Sequence, residues 1–236
     1  KELNKHLTTL LNKYPTEPII TEEYLKGEQY LVEVVVQKNQ PHIIAVIRQD
    51  ITKGKRFIIT GYQLFSTVPP KLLETLKALC QSVVETFELE TAAFHLEMRL
   101  TNEGWKLIEI NPRISGGAMN KMIEAAFGFN LVEQTLKLYL GDEPDFTPKH
   151  SHFVYTKYLI VHQKGLLEKV TGKQRALKSP GIYDVYVKPK KGTILIPPLS
   201  MGHRYAYIIA RGSTLKEAVA LANRAASEIR FHMRRL

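Results

Sequence analysis

The sequence has a single cysteine, a single tryptophan, and no apolar run near the ~20 residues that a membrane-spanning helix needs. One cysteine excludes an intramolecular disulfide and fits a reducing compartment, so a cytoplasmic setting is expected. Cys80 itself lies on the apolar side of a helical pattern and reads as core. Internal repeats and low-complexity tracts are lacking, and the opening KELNKHLTTLLNKYP reads as a polar amphipathic helix rather than a secretory leader. Basic residues are plentiful, giving a net charge of +10, yet no basic run is interleaved with aromatics as a nucleic-acid stacking platform requires. The charge therefore reads as solvated surface, with neither nucleic acid nor a membrane as partner.

What is present is an ordinary globular composition, 44% hydrophobic and 24% charged, over 236 residues, enough for one large domain or two modest ones. A helix is expected over 4–13, followed by strands in PIITEEYL, EQYLVEVVV and HIIAVIRQD, with turns at Lys26-Gly27 and Asn39-Gln40-Pro41. Pro69-Pro70 opens a helix whose apolar residues recur at helical spacing. Strands FHLEMRL and WKLIEIN follow, then Gly116-Gly117 and two short helices, the second capped by Asn130 with Glu133. The polar stretch GDEPDFTPKHS marks a domain boundary between residues 1–145 and 150–236. Beyond it, strands are expected near 153–161, 183–188 and 205–211, and a last helix from the capping box Thr214-x-x-Glu217.

The sharpest chemical signal is HLEMRLTNEGWKLIEINPRISGG. Strand alternation puts His95, Glu97 and Arg99 on one face, and Glu109 with Asn111 on one face of the partner. A three-residue loop, Asn102-Glu103-Gly104, sets Thr101 opposite Trp105 and hence Glu97 opposite Glu109. Facing carboxylates, with β-carbons roughly 5 Å apart, repel unless something positive joins them. Oxygen ligands Glu97, Glu109 and Asn111 suit Mg²⁺ (or Mn²⁺), and Arg113 adds a cation for developing negative charge. Gly116 and Gly117, ahead of a helix, let backbone amides approach an anion, or make a plain turn.

This string resembles the ATP-grasp superfamily, on the branch of the L-amino acid ligases, biotin carboxylase and carbamoyl-phosphate synthetase. The resemblance implies an α+β fold, an antiparallel sheet flanked by helices and followed by a small α+β C-terminal domain. It implies that Glu97, Glu109 and Asn111 hold the metal that bridges ATP phosphates, with Arg113, Gly116 and Gly117 at the reacting acyl-phosphate. His95 matches a basic position near the phosphates, or is a satisfied strand histidine. In TEEYLKGEQYLVEV, Glu22 and Leu25 would meet adenine through their backbone, Glu23 its edge, and Glu28 the ribose. The segment from Gly165 to about Ile229 is similar to the C-terminal domain of L-amino acid ligases, with Arg204 and His203 either closing over the site or lying in a surface loop.

The activity so implied is ATP-dependent ligation of a small carboxylate to an amine through an acyl-phosphate, with amino acids as substrates and a homodimer as one arrangement. Two bicarbonate-activating alternatives, biotin carboxylase-like and carbamoyl-phosphate synthetase-like, belong to the same branch. The biotin carboxylase run Thr-Arg-Ile-Gln-Val-Glu-His is replaced here by Pro-Arg-Ile-Ser-Gly-Gly. From other classes come a non-catalytic basic module that binds anions or nucleic acid with steep salt dependence, and a degenerate scaffold subunit. Tyr62, Met119 and Met122 are candidates for a substrate pocket or for packing. The family's phosphate-covering glycine loop and its lysine strand do not precede Lys1, and Lys53 and Lys55 stand downstream of the adenine segment. The sequence thus reads as a C-terminal portion, and this span alone is expected to show no ligase turnover. An assay of ATP-dependent phosphate release checks this, and robust turnover would refute it.

Overall fold

A computed structural model of the chain describes residues 2–52 and 57–236, so Lys53 and Lys55 lie outside the described residues. Helix α1 (Glu2–Lys13) comes first. The expected strand in PIITEEYL does not form: residues 18–25 carry neither helix nor strand, and Ile20 is 82% exposed. Pro18 removes a backbone donor, and Ile19 and Leu25 are only half-buried.

A run of strands follows, β1 (Glu28–Gln37), β2 (Gln40–Thr52) and β3 (Ile58–Leu64). The first turn is Lys38-Asn39, one step before the sequence suggests. Both residues have positive φ, 51° and 60°, and Gln37 pairs with Gln40 in a tight two-residue hairpin. Next are α2 (Pro70–Thr86), β4 (Ala92–Thr101), β5 (Gly104–Asn111), α3 (Met119–Phe127) and α4 (Leu131–Leu140). Asn130 caps α4 by accepting from the Glu133 amide, while the Glu133 side chain pairs with Lys137 instead of returning to the cap. The remainder comprises β6 (Phe153–Leu159), β7 (Gly165–Thr171), α5 (Lys173–Leu177), β8 (Ile182–Val187), β9 (Ile194–Leu195), a 3₁₀ turn Met201–His203, β10 (Ala206–Gly212), α6 (Leu215–Glu228) and β11 (Arg230–Arg235).

The described strands make an eight-stranded antiparallel sheet in the order β5-β4-β1-β2-β3-β6-β10-β8, and a smaller sheet β11-β7-β9. The pairing of β3 with β6 carries the large sheet without a break across the polar stretch 141–151. β3 and β11 are strands that the sequence map passes over. β3 is buried at every position and so shows little alternation, and β11 is dominated by arginines.

Alternation in β1 explains the layers. Val32, Val34 and Val36 pack with Leu76, Cys80 and Val84 of α2, and with Phe94, Leu96 and Met98 of β4. Leu31 and Val35 face the other way, into a core shared with α3 and α4. Each fully buried side chain of this kind contributes roughly 1.5–3 kcal/mol relative to exposure. Further along the sheet, Ala218, Ala222 and Ala225 of α6 press against Tyr155, Val185 and Ile208. Small residues let this helix lie close to the strands.

Gly27 leads into β1 where the chain passes tight against β4. A β-carbon there would lie 2.1 Å from the Leu100 carbonyl oxygen, a backbone atom that cannot swing aside. Gly27→Ala is expected to destabilise the fold by about 1–3 kcal/mol. Urea unfolding measures this, and an unchanged midpoint would contradict the close approach.

Candidate active site

The β4–β5 hairpin aligns Glu97 with Glu109 and His95 with Asn111. The route to that register differs from the expected one. Thr101 pairs with Gly104, not Trp105, so the loop is two residues long and the pairing starts one residue out of step. A bulge between Leu107 and Glu109 restores the alignment of the two carboxylates. On the buried side of the hairpin lie Phe94, Leu96 and Met98, with Trp105 and Ile110 packed against them. The polar set therefore takes the opposite face, which is also the face of Leu31, Glu33 and the α3 core.

Glu97 is half-buried and accepts a 3.0 Å hydrogen bond from the Gln29 amide, while Arg99 donates to the Gln29 oxygen at 3.0 Å. Glu109 is exposed, and neither carboxylate forms an ion pair among the described residues. Their mutual repulsion is thus left for a cation to relieve. No cluster of three or more His, Cys, Asp or Glu side chains exists among the described residues, so a third protein ligand would have to be the amide oxygen of Asn111. Few protein ligands, all oxygen, is a donor set that fits Mg²⁺.

Behind this set sits a residue that the sequence reading passes over. Glu33 is fully buried in β1, paired with His95 across β4. Its carboxylate accepts the Ser115 backbone N–H at 2.8 Å and also meets the Ser115 hydroxyl. Beside it, buried His95 has Nδ1 3.0 Å from the Arg113 carbonyl. A carbonyl only accepts, so Nδ1 carries a proton here. Two neighbouring strands thus grip the loop after β5 at two points. The Arg113 amide closes on the Asn111 carbonyl at 2.8 Å, and Asn120 of α3 holds the Ser115 carbonyl at 3.3 Å. A carboxylate inside the apolar run YLVEVVV is the one sequence signal that points to Glu33, since a buried acid needs a partner.

The loop presents an exposed Arg113 side chain, without a carboxylate partner among the described residues, and exposed Gly116 and Gly117 ahead of α3. Gly117 is left-handed at φ 68°, and a β-carbon at either glycine would point into open space. The pocket candidates Tyr62, Met119 and Met122 are all buried in one core cluster with α4. Burial pushes the Tyr62 hydroxyl above its ordinary range, with the Arg204 cation opposing and the Glu97 charge adding.

The adenine candidates stand at the far end of the hairpin. Glu22 and Glu23 are exposed and Leu25 is half-buried, and Glu23 and Leu25 line a cavity of about 380 Å³ with Thr101, Asn102 and Lys106. An adjoining cavity of about 560 Å³ is walled by Tyr24, Phe57, Gln29, Gln49 and Arg99, where Tyr24 and Phe57 stack at 6.3 Å. The structure does not bring Glu28 together with Glu97. Glu28 belongs to the Tyr30 face of β1, bonded to the Tyr30 hydroxyl and ion-paired with Arg48 at 2.8 Å. Gln29 is the neighbour that turns toward the carboxylate pair.

An antiparallel sheet with facing Glu97 and Glu109, Asn111 and a Gly-Gly loop is the arrangement expected from the resemblance to the ATP-grasp class. Residues 1–121 match the ATP-grasp domain family, and the chain belongs to it. Residues 157–234 match the family described as L-amino acid ligase C-terminal domain 2. Among curated relatives, the chain is 23% identical to an L-arginine-specific L-amino acid ligase of Bacillus subtilis, over 75% of this chain and 43% of that protein. It is 22% identical to dapdiamide A synthase of Enterobacter agglomerans, over 92% and 51%. The solved L-amino acid ligase of Bacillus licheniformis superposes with a TM-score of 0.76 at 16% identity, over 89% of this chain and 53% of that one. The chain thus spans about half the length of the relatives it matches.

Burial pushes the Glu33 carboxyl from 4.5 up to about 7, against the opposing Ser115 hydrogen bonds and Arg113 charge. The folded chain then keeps this proton to higher pH than the unfolded chain does. Its contribution to stability is complete below about pH 4.5, falls as pH rises through the window to about 7, and changes no further above it. Glu33→Gln is expected to flatten that decline, which urea midpoints of variant and parent across the window measure. Equal slopes for the two would contradict the buried, proton-holding Glu33.

Proposed function

We propose that the protein is an ATP- and Mg²⁺-dependent carboxylate–amine ligase that proceeds through an acyl-phosphate and joins amino acids. The observation that carries this reading is the register of the β4–β5 hairpin, which sets two carboxylates without cationic partners beside Asn111 on one sheet face. Matches to L-amino acid ligases in both parts of the chain support the substrate class. The single buried Cys80, whose thiol burial pushes up to about 12, suits a reducing cytoplasmic setting. No described helix is long and apolar enough to cross a membrane.

In the proposed reaction a substrate carboxylate oxygen attacks the γ-phosphorus of ATP and ADP leaves. The amine nitrogen of the second substrate then attacks the acyl carbon, the amine proton is lost, and inorganic phosphate departs. Glu97, Glu109 and Asn111 would hold the divalent ion, which when bound neutralises phosphate charge as a Lewis acid. Arg113 supplies a fixed positive charge to the oxygens of the acyl-phosphate and of the tetrahedral species that follows it. Gly116 and Gly117 let backbone N–H groups approach the same oxygens, at the positive end of α3. Glu33 and His95 act through the loop, fixing where Arg113 and the glycines stand.

Adenine is assigned to the extended segment Glu22–Leu25, whose backbone is free of strand pairing and can offer a carbonyl and an amide to the base edge. Glu28 is left out of the nucleotide set, because ribose binding there would first have to break its ion pair with Arg48.

Glu109→Gln is expected to lower turnover of the full-length protein on the order of 10²–10³-fold. Stability should hold or rise by about 0.2–1 kcal/mol, since one of two facing like charges is removed. ADP release and thermal melting measured on the same preparation check both halves. Full activity in the variant would remove Glu109 from the metal site.

A further inference from the structure

Arg204 stands just after the 3₁₀ turn, in the segment that leads into β10. Its guanidinium lies 3.9 Å from the centre of the Tyr158 ring and 6.0 Å from that of Tyr62. Nε donates to the Met201 carbonyl at 3.2 Å, and one terminal nitrogen reaches the Ile59 carbonyl at 3.5 Å. The Tyr62 hydroxyl stands within reach of the guanidinium, and the cation has no carboxylate partner among the described residues. A planar cation seated on an aromatic face and fixed through Nε has its remaining donors pre-aimed, which favours a flat anion bound by two hydrogen bonds.

Arg204 lines a cavity of about 180 Å³, whose wall also includes Lys188, Tyr186, Tyr207 and Gly117. Lys188 donates to the Gly202 carbonyl at 2.9 Å and has no acidic partner among the described residues. Asp184, the nearby acid, is taken by Lys121 at 2.6 Å and by the Tyr207 hydroxyl at 3.0 Å. The cavity is therefore electropositive at one end and aromatic along its side. It is smaller than the ~300–1,000 Å³ of whole-ligand pockets, so it fits an acid headgroup with a few carbons.

Resting on the ligase reading, we propose that Arg204 and Lys188 bind the carboxylate of the amine-donating amino acid. The chemistry calls for such a site. The acyl substrate's carboxylate is consumed beside Arg113, whereas the amine substrate keeps its own carboxylate throughout and needs a second cation to orient it. Gly117 is shared by the loop and this cavity, so an amino acid held by its carboxylate at Arg204 directs its amine toward the Gly-Gly loop.

The test compares L-alanine with L-alaninamide, whose carboxylate is masked, by calorimetric titration of the chain and as amine substrates of the full-length protein. The parent should prefer the acid. Arg204→Ala should weaken acid binding, or raise its KM, about 10- to 100-fold while leaving the amide and the acyl substrate unchanged. Arg204→Lys and Lys188→Ala should each lose part of the preference, which guards against a variant that merely fails to fold. Equal binding of acid and amide by the parent, absence of binding by either, or an equal loss for both in Arg204→Ala overturns the subsite. Ligation that persists without these effects leaves the ligase reading standing, whereas absence of ATP-dependent ligation in the full-length parent removes that reading by itself.

Discussion

A buried carboxylate and a buried imidazole, side by side on neighbouring strands, set the geometry on which the candidate site depends. Glu33 holds the Ser115 amide and hydroxyl, and His95 holds the Arg113 carbonyl. Loop backbone would otherwise be free to move, and an exposed Arg113 and two glycines have little packing of their own to fix them. Burying an acid in an apolar layer carries a desolvation cost that only hydrogen bonds offset. Here those bonds all go to one loop. The rigidity of β1, buried on both faces, is thereby passed to an exposed loop.

The same division of labour shapes the hairpin. Its inner face is ordinary core, and that packing fixes which side of the sheet the polar residues occupy. The bulge before Glu109 then decides whether the carboxylates face one another or stand offset. Like charges opposite each other oppose pairing, so it is the packing of the inner face that holds the hairpin in this arrangement.

Much of this was legible in the residues because it rests on period-two alternation. His95, Glu97, Glu109 and Asn111 were placed on one face correctly, although by a loop one residue too long and without the bulge that compensates. Helices α2, α4 and α6 carry proline or capping signals and were legible for that reason. The rest depended on partners distant in sequence. β3 has no alternation to read because it is buried at every position, and residues 18–25 alternate yet form no strand, for want of a neighbour. Glu33 was hidden differently, since its meaning lies in Ser115, 82 positions away. Glu28 fits a motif by spacing and lines the cavity beside Tyr24, although strand parity turns it away from Glu97 and toward Arg48.

The two family matches, at 1–121 and 157–234, fall on either side of the polar stretch, yet the large sheet takes strands from both. That continuity matters for chemistry as well as for stability. Because β3 pairs with β6, Tyr62 and Tyr158 come together edge to face at 5.7 Å, and Arg204 rests on both. Tyr62 in turn feels the charge of Glu97. A cation from the C-terminal part is therefore positioned against the carboxylate face by strand pairing rather than by the docking of separate bodies. A hinge between the two parts would have to break β-ladder hydrogen bonds, so motion is better sought in the unpaired segment 18–27.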